Sequence, residues 1–261
     1  MIREMSVAGT FYPARAVELE RYFEHFNSVY SEEHKQITQQ SRAIIVPHAG
    51  YIYSGYTANI AYRVLQNANI KNIVVIGPSH RVAFDGISLC SAQTYVTPFG
   101  DIQSASELAK DLHDNFNLTS ILNPHAEHST EVQFPFIKHY LDGVNILELV
   151  YGRATPELLS QIIDFLLSKE DCAVVISTDL SHFYTLDEAE QLDNICLSAI
   201  ENLDTKLLHN GCEACGMIGV EAMLLSASKH HLKANLLDYR TSADASDDTN
   251  RVVGYVSAYF S

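Results

Sequence analysis

Four short runs of β-branched and apolar residues punctuate the first two thirds of the chain, at 43–46, 72–76, 145–150 and 173–176. Their apolarity is nearly continuous and does not alternate, the pattern of a strand covered on both faces. Segments 57–65, 131–140 and 156–167 instead carry apolar residues at helical spacing. Strand, helix, strand order predicts an α/β fold with a mixed, largely parallel central sheet flanked by helices. The last third predicts helices over 186–203 and 218–228 and strands over 232–239 and 252–260, with polar 241–250 as the loop joining those strands. No internal repeat, low-complexity tract or linker divides the sequence, and 261 residues suit one core, so a single domain over 1–261 is expected.

Composition narrows the function classes. Hydrophobic residues at 47% and charged residues at 19% belong to an ordinary globular chain. A formal charge of −15 disfavours attraction to phosphate backbones or anionic lipid, so no nucleic-acid partner is expected. No apolar run approaches the roughly 20 residues of a membrane span, and nothing near Met1 has the make-up of a signal peptide. The expectation is a cytoplasmic protein without a membrane partner. Five cysteines fit reduced thiols better than a disulfide framework.

The informative residues follow the strands. Run 43–46 leads into Pro47-His48-Ala49-Gly50-Tyr51, run 72–76 into Gly77-Pro78-Ser79-His80, and run 173–176 into Ser177-Thr178-Asp179-Leu180-Ser181-His182. Open α/β sheets bind ligands in the crevice beyond the carboxyl ends of their strands, so three histidines there have a route to convergence. Imidazole is also the commonest biological metal ligand. A further cluster, Pro124-His125-Ala126-Glu127-His128-Ser129-Thr130-Glu131-Val132-Gln133, reads as Ser129 capping a helix whose positive end suits Glu131. Glu127 and His128, just before that cap, are candidates to project into a cleft. Gly211-Cys212-Glu213-Ala214-Cys215-Gly216 holds one C-x-x-C pair, too few for a four-cysteine zinc site and late in the chain for a thioredoxin-like dithiol.

These motifs together resemble the Memo family, also called the AmmeMemoRadiSam system protein B family. The matching pieces are Pro47 to Tyr51, Gly77 to His80, Glu127-His128-Ser129 with Glu131 and Gln133, Ser177 to His182, and Cys215-Gly216, with Val7 to Pro13 and Val253-Gly254-Tyr255 at the ends. The resemblance implies a fold similar to the class III extradiol dioxygenases, which hold non-haem Fe(II) with two histidines and a glutamate. It implies His48, His80 and Cys215 as metal ligands, with the cysteine replacing that glutamate. It also implies His182 as an acid/base beside Asp179, and Glu127, His128, Tyr51 and Ser79 around a substrate pocket. Fe(II) is the expected metal, with copper or zinc as alternatives, because a thiolate is softer than a carboxylate.

Three functions follow from these residues. The first is a metal-dependent redox or oxygenase-like enzyme acting on a small molecule. The second is a non-catalytic metal-handling or peptide-binding module that keeps an enzyme-like pocket, though the sequence has no obvious Arg cluster for phosphate recognition. The third, ranked last, uses Cys215 as a nucleophile with His182 as its base.

Overall fold

Successive residues of the central strands enter opposite cores. Ile44, Val46, Ile73, Val75, Ala173 and Val175 pack on one face, while Ala43, Ile45, Val74, Ile76, Val174 and Ile176 pack on the other. A period of two with both faces covered is why these runs are apolar throughout.

The computed structural model describes residues 1–33, 37–141 and 143–261. In chain order the elements are β1 (Ile2–Arg3), α1 (Ala16–Glu33), β2 (Ala43–Val46), α2 (Tyr51–Leu65), β3 (Asn72–Pro78), β4 (Ile87–Leu89), β5 (Thr94–Tyr95), β6 (Ile102–Gln103) and α3 (Ser106–Phe116). A 3-10 turn (Asn123–His125) precedes α4 (His128–Glu131), α5 (Phe134–Tyr140), β7 (Asn145–Tyr151), α6 (Pro156–Leu167), β8 (Cys172–Ser177) and β9 (His182–Tyr184). The chain ends through α7 (Leu186–Asn202), α8 (Thr205–Leu208), α9 (Met217–Lys229), β10 (Ala234–Thr241), a second 3-10 turn (Ser242–Asp244) and β11 (Val252–Phe260).

The main sheet runs β10-β11-β2-β8-β3-β7-β4, and β9 pairs with β11. Strands β2, β8, β3 and β7 are mutually parallel, whereas β11 and β4 add antiparallel edges. The sheet is mixed and flanked by helices, with no closed barrel. Helix α2 lies over β2, β10 and β11, and α6 and α9 pack together against β8 on the other side. A small sheet, β1-β5-β6, carries the first residues of the chain. No helix among the described residues is long and apolar enough to cross a membrane.

The structure departs from expectation in three places. The helix expected over 131–140 is two short ones, and Pro135 stands in the first turn of the second, where its missing N–H costs no helical bond. Ser129 is not the cap of α4: the Glu127 side chain takes that role, accepting from the N–H groups of His128 and Ser129. Cys196 and Cys212 form a disulfide, because the turn after α8 folds back on α7, so the expectation of reduced thiols fails for this pair. Cys90, Cys172 and Cys215 stay free, and the C-x-x-C is not a dithiol.

Candidate functional site

Strands β2, β8 and β3 are neighbours, and their carboxyl ends deliver His48, Asp179 and His80 to one crevice. Adjacent strands lie about 4.8 Å apart, so residues just past three of them meet without further help. Glycine assists where space is tightest. A Cβ on Gly77 would come 2.7 Å from Ser129 Oγ, and one on Gly216 would come 2.7 Å from Thr178 Oγ1.

His128 enters at the start of α4, and the ligand atoms of His48, His80 and His128 all lie within 4.8 Å of one another. Ring centroids are 5.1 Å apart for His48 and His80, 5.4 Å for His48 and His128, and 4.6 Å for His80 and His128. Cys215 joins at His48, with Sγ 3.3 Å from Nε2. Its loop is pinned to the end of β8 by Cys215 N donating to Asp179 O at 3.1 Å and Gly216 N donating to Thr178 Oγ1 at 2.9 Å.

Hydrogen-bond inventory fixes the histidine tautomers. The single proton of the Ser177 hydroxyl goes to Ser129 O, while Gln133 Nε2 donates to its oxygen at 3.0 Å. The Ser177 oxygen therefore accepts from His48 Nδ1, 3.0 Å away, and His48 Nε2 is left with a lone pair. Glu127 does the same for His80, whose Nδ1 lies 3.4 Å from Oε1, and the same oxygen approaches His128 Nδ1 to 2.6 Å without hydrogen-bond geometry. The carboxylate also accepts from His80 N at 2.7 Å and His128 N at 2.9 Å. His48 and His80 thus turn Nδ1 to a fixed partner and leave Nε2 free, the arrangement that outer partners impose on metal-binding histidines.

Electrostatics agree with neutral imidazole. Burial, and then repulsion from His80 and His128, hold the His48 pKa well below its ordinary value. Burial alone would raise Glu127, but hydrogen bonds from His128 and His80 outweigh it and keep the carboxyl below the usual range. Burial raises Asp179 even though its carboxylate accepts from His48 N at 2.7 Å. The Cys215 thiol is pushed up to about 12 by burial and by Asp179. A cation beside that sulfur reverses the preference, since a coordinating thiol deprotonates outright. The residues therefore fit a metal ion: imidazole nitrogens converge, a thiol lies at His48, and burial disfavours a proton on that ring. His48 is 2% exposed, whereas the His80 and His128 side chains are 30% and 17% exposed, so the cluster opens to solvent on their side.

The other expected site residues are distributed as follows. His182 begins β9 at the same end of the sheet, and its charge bears on Asp179 and His48. Ser79 closes its own turn, its hydroxyl donating to Val82 O at 2.7 Å. Tyr51 starts α2 inside the aromatic core, its hydroxyl donating to Val132 O at 2.7 Å. Glu131 is anchored by the chain's beginning: it accepts from Ser6 N and Val7 N, each at 2.8 Å, and from Tyr12 OH at 2.9 Å, and pairs with Arg3 at 2.8 Å. The ring of Phe11 lies 4.7 Å from that of His128, so this anchored segment walls the pocket; no periodic signal in the sequence marks it.

Sequence comparison extends the similarity beyond the site. Residues 3–259 match the family described as Memo-like protein. A MEMO1 family protein of Thermoplasma volcanium is 31% identical over 98% of this chain and 97% of its own length. A MEMO1 family protein of Aquifex aeolicus is 33% identical over 99% of each chain, and one of Methanosarcina barkeri is 33% identical over 98% of each. A match this extended, together with the strand-end histidines, makes the chain a member of the Memo-like family.

Proposed function

We propose that the protein is a metal-dependent, redox or oxygenase-like enzyme acting on a small molecule, with His48, His80 and Cys215 as ligands and Fe(II) as the preferred metal. The observation that carries this reading is the convergence of His48, His80 and His128, with the sulfur of Cys215 3.3 Å from His48 Nε2. Once bound, the ion supplies Lewis acidity and a redox couple. The protein's own groups do the rest. His128, tethered to Glu127, stands within reach of the same ion or of a molecule bound to it. His182 and Asp179 exchange protons with the substrate, and Phe11 excludes water from one side. Four chelating groups, two past the ends of β2 and β3, one at the start of α4 and one in the loop before α9, need little rearrangement on loading, so affinity is not spent on ordering.

The thiol favours a second reading, in which the site handles copper(I) without turnover, because soft sulfur ligands select that ion. Protein purified without oxygen separates the two. Elemental analysis, Fe(II) and Cu(I) titration, and oxygen uptake over a panel of catechols and other small phenols would be measured for the wild type and for His48→Ala, His80→Ala, Cys215→Ala and His128→Ala. Iron content near one per chain that collapses in the first three variants, with uptake on at least one phenol, is the expected result. Tight copper(I) binding that needs Cys215, with no uptake on any phenol, moves the assignment to metal handling. Metal content unchanged in all four variants ends both.

A further inference from the structure

A second group of ligating side chains is buried beside the crevice, on the far side of α4, whose Thr130 donates to Glu148 Oε1 at 2.5 Å. Glu148 interrupts the apolar run of β7 and points into the same core as Ile146. Cys90, just past β4, sits opposite it, with Cys90 N donating to Glu148 O at 3.0 Å. His125 arrives from the 3-10 turn before α4, with Nδ1 3.1 Å from Glu148 Oε2. The ligand atoms of Cys90, His125 and Glu148 all lie within 4.8 Å of one another, and the three residues are 3%, 5% and 0% exposed.

Two further observations point to a cation. His125 Nδ1 and Glu148 Oε2 are buried atoms aimed at each other without a hydrogen bond of proper geometry, while His125 Nε2 is already held by Ser88 Oγ at 2.9 Å. That is again an imidazole anchored on one nitrogen with the other bare. The charges also fail to balance. Arg3 is the cation facing the carboxylates of Glu131 and Glu148, at 2.8 and 3.6 Å. With Cys90 as a thiol and His125 neutral, one buried negative charge has no counterpart among the described residues, a costly state in a water-free interior. A divalent ion with Cys90 as thiolate brings the sum to zero.

We propose that Cys90, His125 and Glu148 bind a structural zinc ion that locks β4, β7 and the 3-10 turn together. One sulfur, one nitrogen and one carboxylate oxygen are donors suited to Zn2+, whose tetrahedral preference leaves the fourth position to a water, and burial of all three ligands gives the ion a holding role. Binding releases the Cys90 proton to solvent and involves no redox step. The competing arrangement is a protonated His125 paired with Glu148 and no metal.

The test removes the crevice site first, with His48→Ala and Cys215→Ser combined, so that failure of the proposed function leaves the outcome readable. Intact mass under non-denaturing conditions is measured for wild type and for this variant after dialysis against EDTA and reloading with Zn2+. One zinc retained by the variant is expected. After Co2+ loading, a sulfur-to-cobalt charge-transfer band should appear and vanish on adding Cys90→Ser, with affinity for Zn2+ falling more than about 100-fold, since even outer partners of a ligand cost 10–100-fold. No zinc in either protein, zinc in the wild type that the variant loses, or a cobalt band indifferent to Cys90 each overturns the site. Should the added substitution unfold the chain, Glu148→Gln on the same background decides instead, with loss of the retained zinc expected and its retention overturning the site.

Discussion

Replacing Glu127 by glutamine tests whether one carboxylate organises the crevice. The side chain is 1% exposed and accepts on one oxygen from His80 N at 2.7 Å and Arg81 N at 3.3 Å, and on the other from His128 N at 2.9 Å and Ser129 N at 3.4 Å. A glutamine of the same shape has one acceptor oxygen and one NH2 group. Turned either way, it faces two backbone donors with a donor. A stranded buried donor costs roughly 1–3 kcal/mol, and because the His80 end is only part-buried the expected loss is about 2–4 kcal/mol by that scale. The chemical effect is more specific. With NH2 in place of Oε1, His80 and His128 turn acceptor at Nδ1, and their protons move to Nε2, where a metal would bind. Metal affinity should then fall about 10–100-fold, the usual cost of an outer partner. Urea unfolding of the metal-free protein reads the first effect and competition with a calibrated chelator the second. A variant with an unchanged midpoint and a metal Kd within about twofold of wild type would refute the tautomer reading, since a factor of two is well under 1 kcal/mol.

Two other expectations concern stability. A methyl group added by Gly254→Ala would overlap the Asp193 carboxylate, which accepts from Ser181 N at 2.9 Å and Tyr239 OH at 2.8 Å; overpacking of this kind costs about 1–3 kcal/mol, and a thermal melt no lower than wild type would contradict it. Asp164 ties α6 to α9 through Ser226 at 2.7 Å, Lys229 at 2.6 Å and His230 at 3.1 Å. Burial opposes its ionisation, but Lys229 and Ser226 outweigh burial and lower its folded pKa below the unfolded value. Its contribution is therefore fully present above the unfolded aspartate pKa and fades as pH falls through the folded one. Asp164→Asn should cost about 1 kcal/mol at neutral pH, a figure held down because the lysine is largely in water. Urea midpoints of the two proteins should merge on acidification, and a gap that widens instead is the contrary result.

The central strands could be read directly because burial on both faces leaves an unbroken apolar run, and the residues at their ends were conspicuous because Pro, Gly and His stand where aliphatic residues stop. His48, His80 and Asp179 share one crevice for the simple reason that β2, β3 and β8 are parallel neighbours. What escaped sequence reading depends on pairing across long separations. Glu127 stood out as a cleft candidate, but its part in holding His80, 47 positions earlier, has no local signal. Glu148 was visible as a lone charge in β7, yet nothing local says that Cys90 and His125 face it. The Cys196–Cys212 bond joins a helix to a turn 16 residues on, and helical spacing gives no hint of that return. The split of 131–140 was signalled by Pro135, against an apolar periodicity that runs straight through it.

The strap formed by residues 6–12 has a consequence for how the molecule is made. Its docking point, Glu131, is synthesised some 125 positions later, so the wall beside His128 is absent until that much chain has emerged. Contacts spanning that much chain pay a large closure entropy and form late. The crevice is completed later still, since Cys215 reaches His48 across 167 positions and is made well after Glu131.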